Sequence, residues 1–300
     1  MKKKCPYCDC HGLENSNFGI VVRAGKYRRT SDSQTVQRYF CKTCGKHFSA
    51  ATNQSCYWQK KRQLNFTLAQ HRSNSVSLNA SARMLNINRK TVVRKFLLHG
   101  QECEEVLRDM TRNGAIASTM EFDDLECFEH TKLKPLSITL AVEHRTRRIL
   151  GFEVSRMPAK GRLAELSRKK YGQRIDERAK GRDNLFRNIS CHIANDALIK
   201  SDQNPHYPND IKKHFPNATH QTTKGRRGCV VGQGELKKIG FDPLFSLNHT
   251  CAMLRANINR LLRKTWCTTK KPERLKLHIA IYAVAHNKHL EKMARKKLAA

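Results

Sequence analysis

The chain has 300 residues, 58 of them Lys or Arg against 25 Asp or Glu, for a formal net charge of +33. Such an excess makes the chain repel itself unless an anionic partner is present, and nucleic acid is the partner that fits. No apolar run nears the roughly 20 residues of a spanning helix, and Met1-Lys2-Lys3-Lys4 leads into Cys5-Pro6-Tyr7-Cys8 rather than an apolar stretch, so neither a membrane partner nor a signal peptide is expected.

A 39% hydrophobic fraction is enough for a real core, and this length suggests about two domains with room for a small extra module. Two cysteine pairs open the chain: Cys5-Pro6-Tyr7-Cys8 and Cys41-Lys42-Thr43-Cys44. Two intervening residues let both thiolates of a pair turn toward one ion, and two pairs complete a closed tetrahedral zinc site. A closed site is structural, not catalytic. Gly45 follows where the turn tightens, and Phe48 can pack beneath the metal; residues 1–55 read as a zinc ribbon. Cys10, His11 and His47 are spare ligands nearby. The chain's 12 cysteines are scattered, which with a zinc site fits a reducing cytoplasm better than a disulfide framework.

Residues 56–112 read as helical. Leu64 and Leu68 set a helical spacing within Lys60 to His71. From Ser77 to Lys95, Ala82 and Leu85 suit the inner face of a short helix, Ile87 a turn between two asparagines, and Asn88 an N-cap. Val92, Val93 and Phe96 then form an inner face and leave Arg89, Lys90, Arg94 and Lys95 outward. That is the layout of a helix-turn-helix whose second helix enters a major groove, although a two-helix hairpin with a solvated basic face has the same pattern.

Asn113-Gly114 marks a junction, and residues 113–300 read as a larger α/β domain. Thr119 to Phe128 is a strand candidate. Leu136, Ile138, Leu140 and Val142 alternate, as do Leu150, Phe152 and Val154, with Glu143–Thr146 as the turn between. The stretch 156–182 is strongly basic and includes Arg168-Lys169-Lys170. A helix near Asp183–His192, a strand near Ala197–Ser201 and a helix over Pro208–His214 follow. Three antiparallel strands, then helix, strand, helix, is the order of a ribonuclease-H-like sheet.

In that order two acids stand out: Asp123 in the first strand and Asp202 after the short apolar strand. Carboxyl ends of strands open onto the functional crevice of α/β sheets. Two carboxylates brought together repel unless a cation lies between them, and hard oxygen ligands select Mg²⁺ or Mn²⁺. Paired ions of this kind activate an attacking oxygen and stabilise the leaving oxygen of a phosphodiester. Asp124 competes with Asp123, since adjacent strand residues face opposite ways. A bland alternative makes Asp124 an edge acid and Asp202 a helix cap.

Taken together, these segments resemble bacterial insertion-sequence transposases of the DDE type, nearest the first-described insertion sequence family and its relatives. The resemblance spans nearly the whole chain. It rests on Asp123-Asp124-Leu125 at the first position, on Asp202, Pro205 and Tyr207 at the second, and on a basic helix from His249 to Arg263 after the third. That family places a Glu at the third position, where this chain has Asn248; related groups carry Asn there, and an Asn carbonyl ligates a divalent ion without adding charge. Glu235 is the rival third ligand. The resemblance implies hydrolysis at a transposon end to free a 3′-hydroxyl, attack of that hydroxyl on target DNA, Mg²⁺ or Mn²⁺ as cofactor, a homo-oligomer on paired ends, and a bacterial, nucleoid-associated location. Residues 156–182, Lys224-Gly225-Arg226-Arg227 and Arg263–Arg274 would then neutralise phosphates, though each run also suits a solvated face. The Asn at position 248 equally fits a decayed or repurposed DNA-binding protein that keeps the core. A nuclease or resolvase without strand transfer would use the same ligands.

Overall fold

The computed structural model describes residues 4–8, 20–52, 54, 56–57, 59–224, 242–262 and 268–298. The chain divides into two compact units, Met1–Thr67 and Leu68–Ala300.

The first unit is built on a three-stranded antiparallel sheet in sequential order: β1 (Val21–Arg28), β2 (Thr35–Cys41) and β3 (His47–Ser49). The turn from β2 to β3 carries the second cysteine pair. Gly45 closes it at φ 66°, a left-handed conformation that glycine adopts without steric cost, and its N–H donates to Cys41 O at 2.9 Å. Phe48 is buried with Cys5 and Cys41 and stacks on Tyr39. So small a sheet has little apolar surface of its own, and the thiol cluster is the centre of its core.

Helix α1 (Leu64–Ser73) follows, then α2 (Leu78–Met84) and α3 (Arg89–Arg112). Ser77 caps α2 by accepting from Ala80 N, and Asn88 caps α3 by accepting from Lys90 N, each satisfying an orphan donor of the first turn. Asn86, at φ 45°, makes the turn between them; asparagine tolerates that region better than most residues. α3 runs 24 residues. Val92 and Phe96 bury its first turns and Leu107 ties its far end into the larger core.

That core surrounds a mixed five-stranded sheet. β4 (Ala117–Phe128), β5 (Pro135–Glu143) and β6 (Ile149–Arg156) form an antiparallel meander. After α4 (Leu163–Tyr171) and α5 (Arg178–Ile189), β7 (Ile193–Asp202) runs parallel to β4. After α6 (Tyr207–His214), β8 (Thr219–Thr223) runs parallel to β7, giving the order β6-β5-β4-β7-β8. α7 (Phe245–Asn257) and α8 (Pro272–Leu298) complete the unit. Strand side chains alternate between faces, and here both faces are covered. Leu125, Leu136, Ile138 and Leu140 pack with Leu247 and Leu254 of α7 and Leu275 and Ile279 of α8. Met120, Phe122 and Ile199 pack with Leu185 and Phe186 of α5 and Tyr207 and Ile211 of α6. The unit is therefore a three-layer α/β/α arrangement.

The expected order of strands and helices is found, with shifted boundaries. The helix expected over Asp183–His192 starts at Arg178 and ends at Ile189. The helix expected from His249 to Arg263 spans Phe245–Asn257, and Arg263 lies outside the described residues. Among the described residues no helix is long and apolar enough to cross a membrane.

Candidate active site, thiolate cluster and basic surface

In the parallel ladder between β4 and β7, Met120 pairs with Ile199 and Glu121 with Lys200. Two residues further on each strand come Asp123 and Asp202, so the two carboxylates stand abreast on one face, just past the last paired residues. Asp202 ends β7, whereas Asp123 lies mid-strand, since β4 runs on to Phe128 paired with β5; the two acids therefore meet where the parallel ladder stops, at the carboxyl end of β7, where α/β sheets open a crevice. The Asp123 carboxyl is raised from 3.8 to about 6, first by burial and then by the charge of Asp202. Asp202 is also raised, chiefly by burial. Repulsion between the two is mutual, and its effect falls on the more deeply buried Asp123. Partial relief comes from donors: Asp124 N–H at 2.7 Å and Tyr207 O–H at 3.1 Å both reach Asp123 Oδ1, and Asn204 N–H reaches Asp202 Oδ1 at 3.1 Å. None of these donors is charged. Two half-buried acids facing each other, bonded to no cation among the described residues, are a donor set suited to a hard divalent ion.

Asp124 turns to the opposite layer. It accepts from Thr139 Oγ1 at 2.5 Å and lies 3.7 Å from Arg182, itself only 3% exposed and paired with Asp210 at 2.5 Å. Its charge is thus neutralised by α5, on the far side of the sheet from α7.

α7 is anchored to the acidic pair through Glu121, a residue that no sequence motif singles out. Glu121 is fully buried. One carboxylate oxygen accepts the backbone N–H of Leu247 at 2.8 Å, and the other bonds His144 Nδ1. The Leu247 N–H belongs to the first turn of α7, where no intrahelical acceptor exists, and a carboxylate there also meets the positive end of the helix dipole. Ser246 Oγ accepts from Arg145 N–H at 2.8 Å, fastening the same turn to the β5–β6 loop. Asn248 is the next residue, exposed, with its Nδ2 donating to Asp242 at 2.8 Å. One turn on, the Cys251 thiol is pushed up to about 12, mainly by burial and also by the charge of Asp123, so this stretch of α7 lies within electrostatic reach of the pair. An acid amid the apolar residues of β4 is the available signal for Glu121. Glu235 lies outside the described residues.

The four cysteines converge. Their Sγ atoms all lie within 4.8 Å of one another. The pairs Cys5–Cys44 and Cys8–Cys41 are separated by 3.7 and 3.6 Å, close to the edge of about 3.8 Å of a tetrahedron with 2.3 Å zinc–sulfur bonds. Backbone N–H groups of Cys44 and Thr43 hold the Cys41 thiol down to about 6, favouring the thiolate that a metal needs. His47 is exposed against Phe40 and is not part of the cluster; Cys10 and His11 lie outside the described residues. Among the described residues these thiols are the one group of three or more Cys, His, Asp or Glu side chains that converge so closely.

On α3, Arg89, Lys90 and Arg94 are exposed, and Arg89 is steadied by Asn79 of α2 at 2.6 Å. Lys95 does not face outward as its charge suggests: it is 5% exposed, because helical spacing puts it on the stripe of Val92 and Phe96. On α4, Arg168, Lys169 and Lys170 are exposed. Elsewhere in the basic stretch 156–182, Arg174 pairs with Glu129, Arg178 with Asp176 and Arg182 with Asp210, so part of the run serves the fold. Arg226 and Arg227 lie outside the described residues.

No family model and no curated protein matches the chain. Among solved structures, it is similar to the crystal structure of the Mos1 strand transfer complex, at 11% identity over 76% of this chain and 77% of that one, with a TM-score of 0.24. It is likewise similar to that of a pre-cleavage Mos1 transpososome, at 10% identity over 75% of this chain and 77% of that one, with a TM-score of 0.20. At these TM-scores neither similarity carries an argument, and the functional reading rests on the chain's own residues.

Proposed function

We propose that this protein is a DNA transposase: it binds transposon ends and carries out metal-dependent phosphodiester cleavage and strand transfer on a ribonuclease-H-like core. The observation that carries the reading is the placement of Asp123 and Asp202 abreast where the parallel β4–β7 ladder stops, with Asp123 raised to about 6 by burial and by the charge of Asp202. Asp123, Asp202 and the carbonyl of Asn248 would hold Mg²⁺ or Mn²⁺. When bound, such ions polarise the phosphodiester and lower the pKa of an attacking hydroxyl or water. Around them the chain's residues position and exclude. Tyr207 O–H orients the Asp123 carboxylate, Glu121 pins α7 beside it, and the apolar layers beneath hold both strands rigid. In the first step a water oxygen attacks phosphorus and the bond to the 3′-oxygen breaks, leaving a 3′-hydroxyl. In the second, that hydroxyl attacks a target phosphodiester and displaces its 3′-oxygen.

Two further parts support this reading. The tight turn between α2 and α3 with exposed Arg89, Lys90 and Arg94 fits a helix-turn-helix reading major-groove edges and phosphates, and Arg168, Lys169 and Lys170 extend the phosphate-neutralising surface. The thiol tetrad fits structural zinc, whose binding would supply folding energy to the first unit. Joining two ends requires at least two such sites, hence a homo-oligomer on DNA, and the same reading implies a bacterial, nucleoid-associated location.

A second reading, a DNA-binding protein with a decayed core, is favoured by one observation: among the described residues no third carboxylate converges on Asp123 and Asp202. Incubating the protein with Mg²⁺ and the inverted repeats that flank its coding sequence separates the two. Nicking abolished in Asp123→Ala and Asp202→Ala, with end binding retained, supports the transposase.

A further inference from the structure

Asn248 carries no charge, yet a carboxylate touches it. Asp242 Oδ2 accepts from Asn248 Nδ2 at 2.8 Å, and Asp242 Oδ1 accepts the backbone N–H of Leu244 at 2.9 Å. The second bond fixes the carboxylate against the chain at the mouth of α7, leaving its free oxygen to grip the amide. An ionised carboxylate only accepts hydrogen bonds, whereas an amide has one donating and one accepting end. Chemistry therefore dictates that the NH₂ of Asn248 faces Asp242, which leaves Oδ1 as the atom available to another partner. Without Asp242 the amide could rotate and present its NH₂ to a cation, which repels it.

We infer that Asp242 is a positioning residue for the third metal ligand: it locks the Asn248 amide with its carbonyl oxygen toward the divalent ion. It also supplies, one hydrogen bond removed, the negative charge that a third carboxylate would bring. Carboxylates that hold a ligating side chain in this way tune both its orientation and its donor strength. The inference rests on the reading of Asp123 and Asp202 as metal ligands. It turns the departure at position 248 into a relocation of charge from the helix to the residue that precedes it by six positions in the chain.

The test is Mn²⁺ binding to the zinc-loaded full chain without DNA, followed by electron paramagnetic resonance. Asp242→Asn keeps an acceptor for Leu244 N–H, so the start of α7 survives, but it sets NH₂ against NH₂ and turns the Asn248 carbonyl away from the site. Its Mn²⁺ affinity should fall about tenfold or more, the usual cost of removing such a support. The exchange Asp242→Asn with Asn248→Asp restores a donor facing an acceptor and keeps the charge, and should bring affinity back to that of wild type or above it, since the carboxylate then ligates directly. In an Asn248→Ala background the effect of Asp242→Asn should shrink to the loss of its more distant charge, because residues acting through one shared bond are non-additive. Wild-type affinity in Asp242→Asn, or an undiminished effect of it beside Asn248→Ala, overturns the role of Asp242 while leaving the metal site standing. A wild-type protein with no Mn²⁺ that Asp123→Ala removes overturns the metal reading itself, and Asp242 with it.

Discussion

Replacing Asp123 by Asn should make the protein more stable, and the gain should depend on pH in a defined way. The Asp123 carboxyl is held at about 6 instead of 3.8, so the folded state binds a proton that the unfolded chain has released. The contribution of Asp123 to stability therefore falls as pH rises from about 4 to 6 and stays lower above that, because a group held protonated by the native state loses that advantage as it ionises. At about 1.4 kcal/mol per pH decade, the full penalty at pH 7 is about 3 kcal/mol. Asn is close to the shape of the protonated acid, and its carbonyl can still accept from Asp124 N–H and Tyr207 O–H. We expect Asp123→Asn to be more stable than wild type by about 2–3 kcal/mol at pH 7 and equal to it near pH 4. In a unit of this size that is a rise in Tm of roughly 4–12 °C. The assay is denaturant unfolding across pH 4–8 in buffer free of Mg²⁺ and Mn²⁺, since a bound cation would remove the repulsion. Equal stability of the two proteins at pH 7, or an advantage of the variant that grows toward acid, would refute the reasoning.

Three other outcomes follow from the geometry. Elemental analysis should find about one zinc per chain, absent from Cys41→Ala together with the fold of the β1–β3 sheet; a metal-free protein with that sheet intact contradicts it. Changing Arg89, Lys90 and Arg94 to Ala should weaken end binding and lower the salt slope by about 0.9 for each phosphate left without its cation, with unchanged melting of the core; an unaltered slope removes α3 from the DNA interface. Glu121→Ala should strand the Leu247 N–H and His144, costing about 2–4 kcal/mol and speeding hydrogen exchange at the start of α7, and wild-type exchange there would show that the helix is held by something else.

Strand patterns are legible where one periodicity meets one covering layer. Leu136, Ile138, Leu140 and Val142 alternate because α7 and α8 cover the face they share. The strand Thr219–Thr223 escapes notice because THQTT holds no apolar residue to mark a buried face; it is an edge strand defined by its ladder to β7. α4 is hidden in a basic run, its Leu163 and Leu166 exposed and so leaving no apolar stripe to the core. The long α8 is obscured for the opposite reason, since its first turns look like a charge run although Leu275, Ile279, Ala280 and Ala283 recur at helical spacing and are buried. At the site, Asp202 can be picked out as an acid that ends an apolar strand and Asp123 as an acid that interrupts one. Glu121 cannot be assigned its role, since its meaning depends on a backbone N–H 126 residues away. Asp242 depends on a bond to Asn248 that no local pattern encodes. Lys95 misleads because its charge says little against its place on the Val92–Phe96 stripe.

The central claim is that Asp123 and Asp202 serve the joining of DNA. The most direct measurement mixes the protein, Mg²⁺, a labelled pre-nicked end with a free 3′-hydroxyl, and a supercoiled target plasmid, and looks for label covalently joined to the plasmid. The account predicts joined product with wild type, none with Asp202→Ala, and equal end binding by both. Tight end binding by the wild type with no joined product in Mg²⁺ or Mn²⁺ would contradict it and leave a DNA-binding protein built on the same core.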